Sequence, residues 1–192
     1  MALTIGVTGG IGSGKSIVCK VFSTLGIPIY NADQRAKFLM NNDQELKKQL
    51  IELFGENAYK DNSLNRKYIA KIVFENKDKL VELNAIVHPA VGRDTQEWYQ
   101  KNQDKKYVLK EAALIFETNG QKFLDKVITI AAPKELRIER VIKRDQITRE
   151  EVIKRMNNQM SQEEKIKLSD YVIHNNGVQP IIPQIWKIHQ NP

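Results

Sequence analysis

Leu3-Thr4-Ile5-Gly6-Val7-Thr8-Gly9-Gly10-Ile11-Gly12-Ser13-Gly14-Lys15-Ser16 begins as an apolar, β-branched run and ends in glycines, a lysine and a serine. Leu3 to Val7 reads as a short buried strand. Beyond the glycines, Ile17, Val18, Val21, Phe22 and Leu25 recur at helical spacing, which predicts a helix from about Lys15 to Leu25 with Gly26 as its C-cap. Between the two, Gly9 to Ser16 matches G-x-x-x-x-G-K-[ST] in the context that gives the motif meaning, strand before and helix after. Glycines let successive N–H groups turn inward, and the helix N-terminus adds positive potential, so the segment forms a cradle for phosphates. Gly10, Ile11, Gly12, Ser13 and Gly14 are the expected cradle for a nucleotide triphosphate. Lys15 is expected to reach its β- and γ-phosphates, and the Ser16 hydroxyl to hold Mg²⁺. The bland alternative, a glycine-rich turn that matches by chance, has to explain both flanking elements. The loop does not say what receives a phosphoryl group.

Outward from this loop, Ile27 to Tyr30 reads as a second short strand, with Pro28 favouring an edge or a strand start. Asn31 to Asp33 opens a further helix reaching about Met40. From Asp43 to about Asn102 the pattern is mostly helical: Leu46, Leu50, Leu53 and Phe54 form one apolar stripe, Ile69, Ile72 and Val73 another, and Leu80, Leu83, Val87 and Val91 a third. Gly55 and Asp61-Asn62-Ser63 mark breaks. An all-helical insertion of about fifty residues is therefore expected between strands. Strands return at Tyr107 to Leu109, Val127 to Ile130 and Tyr171 to Ile173. Helices are expected at about Lys134 to Arg144, Thr148 to Met160 and Pro180 to His189. Alternating strands and helices imply a parallel sheet covered on both faces, a three-layer α/β P-loop NTPase core.

Several residues carry candidate chemistry. Asp33 should emerge at the carboxyl end of the second strand, where ligands of parallel sheets bind. A carboxylate there can take the proton of an acceptor hydroxyl; the alternative is a helix N-cap. Arg137, Arg140 and Arg144 recur at i, i+3 and i+7, on one helix face, with Ile138, Val141 and Ile142 opposite. Guanidinium groups stabilise charge on a migrating phosphoryl group, and Arg155 and Gln159 offer a second polar face. Surface ion pairs such as Glu139 with Lys143 and Glu151 with Arg155 are the competing explanation. Arg66, Lys67, His88 and Arg93 in the helical insertion are candidate acceptor contacts. His88 has a structural alternative, since Pro89 is expected to interrupt the helix and leave carbonyls to satisfy. Phe116 and Glu117 line an acceptor pocket or, for Phe116, belong to the core. Asn175 and Gly177 edge the nucleotide base or form an ordinary turn. Cys19 lies away from the centre of its helix's apolar face and reads as an incidental thiol.

The loop Thr8 to Ser16 resembles that of the dephospho-CoA kinases, and further stretches follow in the same order. Asn31-Ala32-Asp33 resembles that family's Asp-Ala-Asp. Arg66, Val73-Phe74 and Ile86-Val87-His88-Pro89 resemble its helical substrate domain. Glu111-Ala112-Ala113-Leu114-Ile115-Phe116-Glu117 resembles its Asp-x-Pro-Leu-Leu-Phe-Glu. Arg140, Arg144, Arg155 and Gln159 are placed as in its lid, and Asp170 to Ile173 with Asn175 and Gly177 as in its closing strand. The resemblance implies transfer of the γ-phosphoryl of ATP to the 3′-hydroxyl of dephospho-CoA, with Mg²⁺ and with Asp33 on the acceptor hydroxyl. It implies a nucleotide core at 1–42, 104–136 and 161–192, a helical CoA domain at 43–103 and a small helical lid at 137–160. Three departures stand out: Asn31 and Glu111 each replace an Asp, and Ala113 replaces a Pro. Glu111 keeps a carboxylate where such enzymes hold Mg²⁺ through water, one methylene longer.

With 192 residues, 41% hydrophobic and 28% charged, the chain buries a core without staples. Its single cysteine excludes an intrachain disulfide and a Cys-cluster metal site, and suits a reducing compartment. No apolar run has the length of a membrane span, so a cytoplasmic protein without membrane contact is expected. The formal charge of +7 is spread among acidic neighbours and suits a polyphosphate ligand; no basic stripe interleaved with aromatics points to nucleic acid. A monomer or weak homo-oligomer is expected. Two enzyme alternatives remain, another acceptor kinase and a GTPase switch, though the Asp of Asn76-Lys77-Asp78 falls one place early for the guanine motif. A nucleotide-binding regulator or nucleic-acid-binding protein is the alternative from another class.

Overall fold

The computed structural model describes every residue, Met1–Pro192. In chain order its main elements are β1 (Leu3–Thr8), α1 (Lys15–Thr24), β2 (Ile29–Asn31), α2 (Ala32–Asn42), α3 (Gln44–Phe54), β3 (Tyr59–Lys60), β4 (Ser63–Leu64), α4 (Arg66–Glu75), α5 (Lys77–Lys101), β5 (Tyr107–Glu111), β6 (Lys126–Ala131), α6 (Lys134–Asp145), α7 (Arg149–Asn157), α8 (Gln162–Lys167), β7 (Tyr171–His174) and α9 (Ile181–Gln190). They fall into two units, Met1–Asn31 with Asn102–Pro192, and Ala32–Lys101.

The first unit is built on a five-stranded sheet of order β2-β5-β1-β6-β7, parallel throughout. β2 is an edge strand, as Pro28 predicts: a residue without an N–H is tolerated beside a strand that pairs on one side only. The period of two then sorts the side chains. Ile5 and Val7 of β1, Tyr107 and Leu109 of β5, Ile128 and Ile130 of β6, and Ile173 of β7 share one core with Val18 and Phe22 of α1 and Ile185 and Ile188 of α9. Each fully buried side chain of this size contributes about 1.5–3 kcal/mol. The other face carries Val127 with Ile115 and Phe116. It is more polar, with Thr8, Thr129 and Lys165 all buried. The alternation also fixes where β5 ends: Glu111 lies on the same face as Tyr107 and Leu109, the α1 side, at the carboxyl edge.

The elements at 148–167 differ from the expectation of one helix to Met160. Thr148 caps α7 through a reciprocal capping box with Glu151, and α7 stops at Asn157. Ser161 then starts α8 through a second box with Glu164. Two S/T-x-x-E signals stand close together, and each satisfies the free N–H groups of its own helix.

In the second unit the apolar stripes of α3, α4 and α5 meet in one core around Leu46, Leu50, Phe54, Ile69, Val87 and Ala90. α2 packs on α5 and α3, so this unit begins at Ala32, ahead of residue 43. Arg35 of α2 forms a two-bond ion pair with Asp94 of α5. Two features correct the sequence reading. The insertion is not all helical: β3 and β4 pair antiparallel across Asp61 and Asn62, both left-handed at φ 50° and 58°. Asp and Asn tolerate that conformation and close two-residue hairpins. And α5 runs continuously through Pro89. Pro89 is exposed, so the carbonyl its missing N–H leaves behind can be met by water.

Candidate active site

The segment from Gly9 to Gly14 joins β1 to α1 as a tight backbone ring. Gly14 stands at the helix N-cap with φ 93°, and Gly12 is left-handed at φ 79°. A methyl group on Gly12 would also overlap the backbone carbonyl of Arg137, so neither the conformation nor the space admits a side chain. Gly12→Ala is expected to cost about 1–2 kcal/mol in the left-handed conformation alone. It should therefore weaken ADP binding tenfold or more, read by titration calorimetry. Lys15 Nζ donates to the Gly9 carbonyl at 2.8 Å, which holds the ammonium across the ring.

In the first turn of α1, the Ser16 hydroxyl donates to Glu111 Oε1 at 2.8 Å. Asn31 Nδ2 donates to Glu111 Oε2 at 2.7 Å. The carboxylate is buried at 6% exposure and thus takes one hydrogen bond from α1 and one from the edge strand. The cause is register: Asn31 and Val7 are the cross-strand partners of Glu111 on its two sides, Asn31 and Glu111 at the ends of their strands and Val7 one residue before the end of β1. Cys19 lies one turn further along α1, buried in the main core. Burial, and then the nearby Glu111 carboxylate, push its thiol far above the usual range, so it stays protonated and unreactive.

The arginines of α6 divide. Arg137 is buried at 7% exposure, and its Nε donates to the Ile11 carbonyl at 3.0 Å. Burial lowers its pKa, an effect Glu163 partly offsets. Gln159 Oε1 accepts the Ile11 N–H at 2.8 Å, so both peptide groups of Ile11 are held, while its side chain packs on Ile138, Val141 and Val152. Arg140 reaches the Asn175 carbonyl at 3.2 Å and the Gly12 carbonyl at 3.5 Å. Asn175 Nδ2 in turn donates to the Ser13 carbonyl at 2.8 Å. Arg144 instead pairs with Asp145, which also takes Arg155. Both arginines are largely exposed, and such pairs contribute about 0–1 kcal/mol. Arg137, Arg140, Gln159 and Asn175 thus touch the loop, and Arg144 and Arg155 do not. Spacing along α6 alone does not show this division, because Asp145 gathers two arginines at the end of the helix.

After β5 the chain turns across the polar face of the sheet. Phe116 is buried in the core with Ile115 and Val127. Glu117 Oε1 lies 2.7 Å from the fully buried Lys165 Nζ and accepts the Met160 N–H at 2.9 Å. Lys165 also donates to the Ala113 carbonyl, which takes the Thr8 hydroxyl as well. Phe116 and Glu117 Oε1 therefore brace this loop from within. Gly177 is left-handed at φ 82° in the turn after β7. In the second unit, Arg66 at the start of α4 and His88 on α5 are exposed. Asp33 is exposed in the first turn of α2, inside the helix rather than capping it, where its charge suits the helix dipole.

The family model for dephospho-CoA kinase matches residues 3–180. A dephospho-CoA kinase of Bacteroides fragilis is 35% identical over 188 residues, covering 98% of this chain and 92% of its own length. The chain belongs to the dephospho-CoA kinase family. Two solved structures agree along nearly the whole chain. A Thermus thermophilus protein superposes with a TM-score of 0.89 at 34% identity, covering 98% of this chain and 96% of its own. The dephospho-CoA kinase from Campylobacter jejuni superposes with a TM-score of 0.72 at 30% identity, covering 99% and 96%.

Dephospho-CoA kinases are ATP-dependent kinases, and the oxygen donors at the mouth of the loop suit the cation such chemistry uses. The Ser16 hydroxyl and the Glu111 carboxylate are hard ligands already in contact, and Mg²⁺ is held by one or two carboxylates with phosphates and water making up the rest. No cluster of three or more His, Cys, Asp or Glu forms in the chain, here or elsewhere. The residues present therefore fit Mg²⁺ beside bound phosphates. No helix is long and apolar enough to cross a membrane.

Proposed function

We propose that the chain transfers the γ-phosphoryl group of ATP to the 3′-hydroxyl of dephospho-CoA, giving CoA and ADP, with chemistry centred on the Gly9–Ser16 loop. The observation that carries the reading is the Ser16–Glu111 hydrogen bond at the end of α1, a ready pair of oxygen donors at the mouth of an anion cradle. Gly10 to Gly14 cradle the β-phosphate with their N–H groups, and Lys15 swings from the Gly9 carbonyl to the β- and γ-oxygens. Ser16 and Glu111 would hold Mg²⁺, which when bound neutralises charge on those oxygens.

Asp33 accepts the proton of the acceptor hydroxyl. The new bond joins that oxygen to the γ-phosphorus, and the bond to the β–γ bridging oxygen breaks, so ADP leaves with the electron pair. Arg140, already beside Gly12 and Asn175, neutralises charge on the transferring group, with Arg137 holding the loop under it. Arg144 joins only by leaving Asp145 when residues 137–160 close as a lid. Asn175 and Gly177 edge the adenine side. The unit at Ala32–Lys101 recognises CoA, with Arg66 and His88 as exposed contacts, while Phe116 and Glu117 shape the acceptor side from below. The reaction needs no nucleic acid or membrane, and runs in a monomer or weak homo-oligomer. The cytoplasm is the compartment that suits a lone buried thiol.

An ADP-release assay with dephospho-CoA, AMP and shikimate as acceptors tests this. Turnover is expected with dephospho-CoA at a rate at least 10²-fold above the other two, given that a site built around an acceptor's polar groups rejects analogues lacking them by that much or more. Equal rates with AMP would point to a nucleotide kinase. Salt-sensitive binding of DNA or RNA without acceptor-dependent turnover would point to a regulator.

A further inference from the structure

We propose that Asn31 is a positioning residue for Glu111, and that these two positions form one matched pair in which a neutral amide holds a lengthened carboxylate on the Ser16 hydroxyl. The inference rests on the reading that Ser16 and Glu111 hold Mg²⁺. Asn31 and Glu111 are direct cross-strand partners at the ends of β2 and β5. Side chains of such partners project to the same side about 4.8 Å apart. Whatever stands at 31 therefore faces the carboxylate at 111 in a place where Glu111 is only 6% exposed.

The two carboxylate oxygens divide the work. Oε2 takes the Asn31 amide at 2.7 Å, and Oε1 takes the Ser16 hydroxyl at 2.8 Å. The second bond commits the hydroxyl hydrogen to Glu111, which would leave the lone pairs of Ser16 Oγ available to a cation. The first bond stops the longer side chain from rotating away. An amide performs this task because it donates and carries no charge. An aspartate at 31 would set two carboxylates against each other with no donor between them. In this chain the longer acid at 111 is thus matched by a neutral donor at 31. Cys19, below, is a weak donor and cannot substitute for the amide.

The test compares wild type, Asn31→Ala, Asn31→Asp, Glu111→Gln and Asn31→Ala with Glu111→Gln together. Two quantities are read: the Mg²⁺ concentration giving half-maximal turnover, and the affinity of the protein–ADP complex for Mn²⁺ by electron paramagnetic resonance, which needs no catalysis. Glu111→Gln and Asn31→Ala should each weaken both by roughly tenfold, the scale of one hydrogen bond to a charged group. Asn31→Asp should weaken Mn²⁺ binding at least as much as Asn31→Ala. The double variant should be no worse than Glu111→Gln alone, since the amide acts only through that carboxylate. Additive losses, or an Asn31→Ala variant whose Mn²⁺ affinity matches wild type while its melting temperature falls, would overturn the positioning role. A Glu111→Gln variant with unchanged Mn²⁺ affinity would instead sink the metal reading itself, and the inference with it.

Discussion

Replacing Lys15 by Ala is expected to lower acceptor-dependent turnover by at least 10²–10³-fold, the scale on which removing one preorganised charge donor acts on a transition state. The ammonium is held 2.8 Å from the Gly9 carbonyl, across the ring whose N–H groups form the cradle. A triphosphate is a stronger partner for a cation than a backbone carbonyl, so the ammonium is expected to engage the bound nucleotide. In the transition state, charge spreads onto the γ-oxygens and the bridging oxygen, and a cation between the β- and γ-groups stabilises that state more than the ground state. The loss should therefore fall mainly on kcat. Steady-state ADP release, with ADP affinity measured alongside by calorimetry, separates the two effects. A Lys15→Ala variant within tenfold of wild-type kcat would remove Lys15 from the chemistry.

The fold was legible wherever local rules and global packing agree. Leu3 to Val7 and Val127 to Ile130 are short apolar runs that have no helical alternative at that length, and both are central strands. Pro28 placed β2 at an edge through a missing donor. The failures have a different physical origin. Asp61-Asn62 reads as a break, and is a break, but whether a break reverses the chain into paired strands depends on what packs beside it. Leu64 N–H donates to Asn41 Oδ1 in α2, and Tyr59 OH to the Met40 carbonyl, so tertiary partners fix this hairpin. Pro89 was expected to interrupt a helix, and its cost was absorbed on an exposed face.

The site was legible in its parts rather than its contacts. The loop announces itself by glycine spacing. That Gln159 would take the Ile11 N–H, Asn175 the Ser13 carbonyl, or Asn31 the Glu111 carboxylate follows from pairs far apart in sequence, which no periodicity reports. Register is what brings Asn31 to Glu111, and register is knowable only once β2 is seen to lie beside β5. The arginine stripe was visible, but its division between Arg137 and Arg140 on the loop and Arg144 on Asp145 follows from the α6–α7 turn.

Asp33→Asn is expected to preserve ADP binding within about twofold while lowering kcat by about 10²–10⁴-fold, the range a positioned general base contributes. The substitution keeps size and removes the charge and the proton-accepting oxygen. Asp33 lies in the first turn of α2, just past the end of β2, and its carboxylate is exposed. The expected partner of this carboxylate is an incoming alcohol, because ligands of parallel α/β sheets bind at the carboxyl ends of the strands. Asp33 neither ends the strand nor caps the helix, because α2 begins at Ala32 and Asp33 is inside its first turn. Its contribution to the helix, a charge near the N-terminus, amounts to about 0.3–1 kcal/mol. That is too little to explain a loss of two or more powers of ten, so the kinetic and melting measurements discriminate cleanly. The proton-accepting role also predicts which constant moves: the hydroxyl loses its proton as the new bond forms, so the loss falls on kcat and leaves the acceptor KM within a few-fold. An Asp33→Asn variant with near wild-type kcat, or one whose defect lies in dephospho-CoA KM alone, would assign Asp33 to acceptor binding rather than to proton transfer.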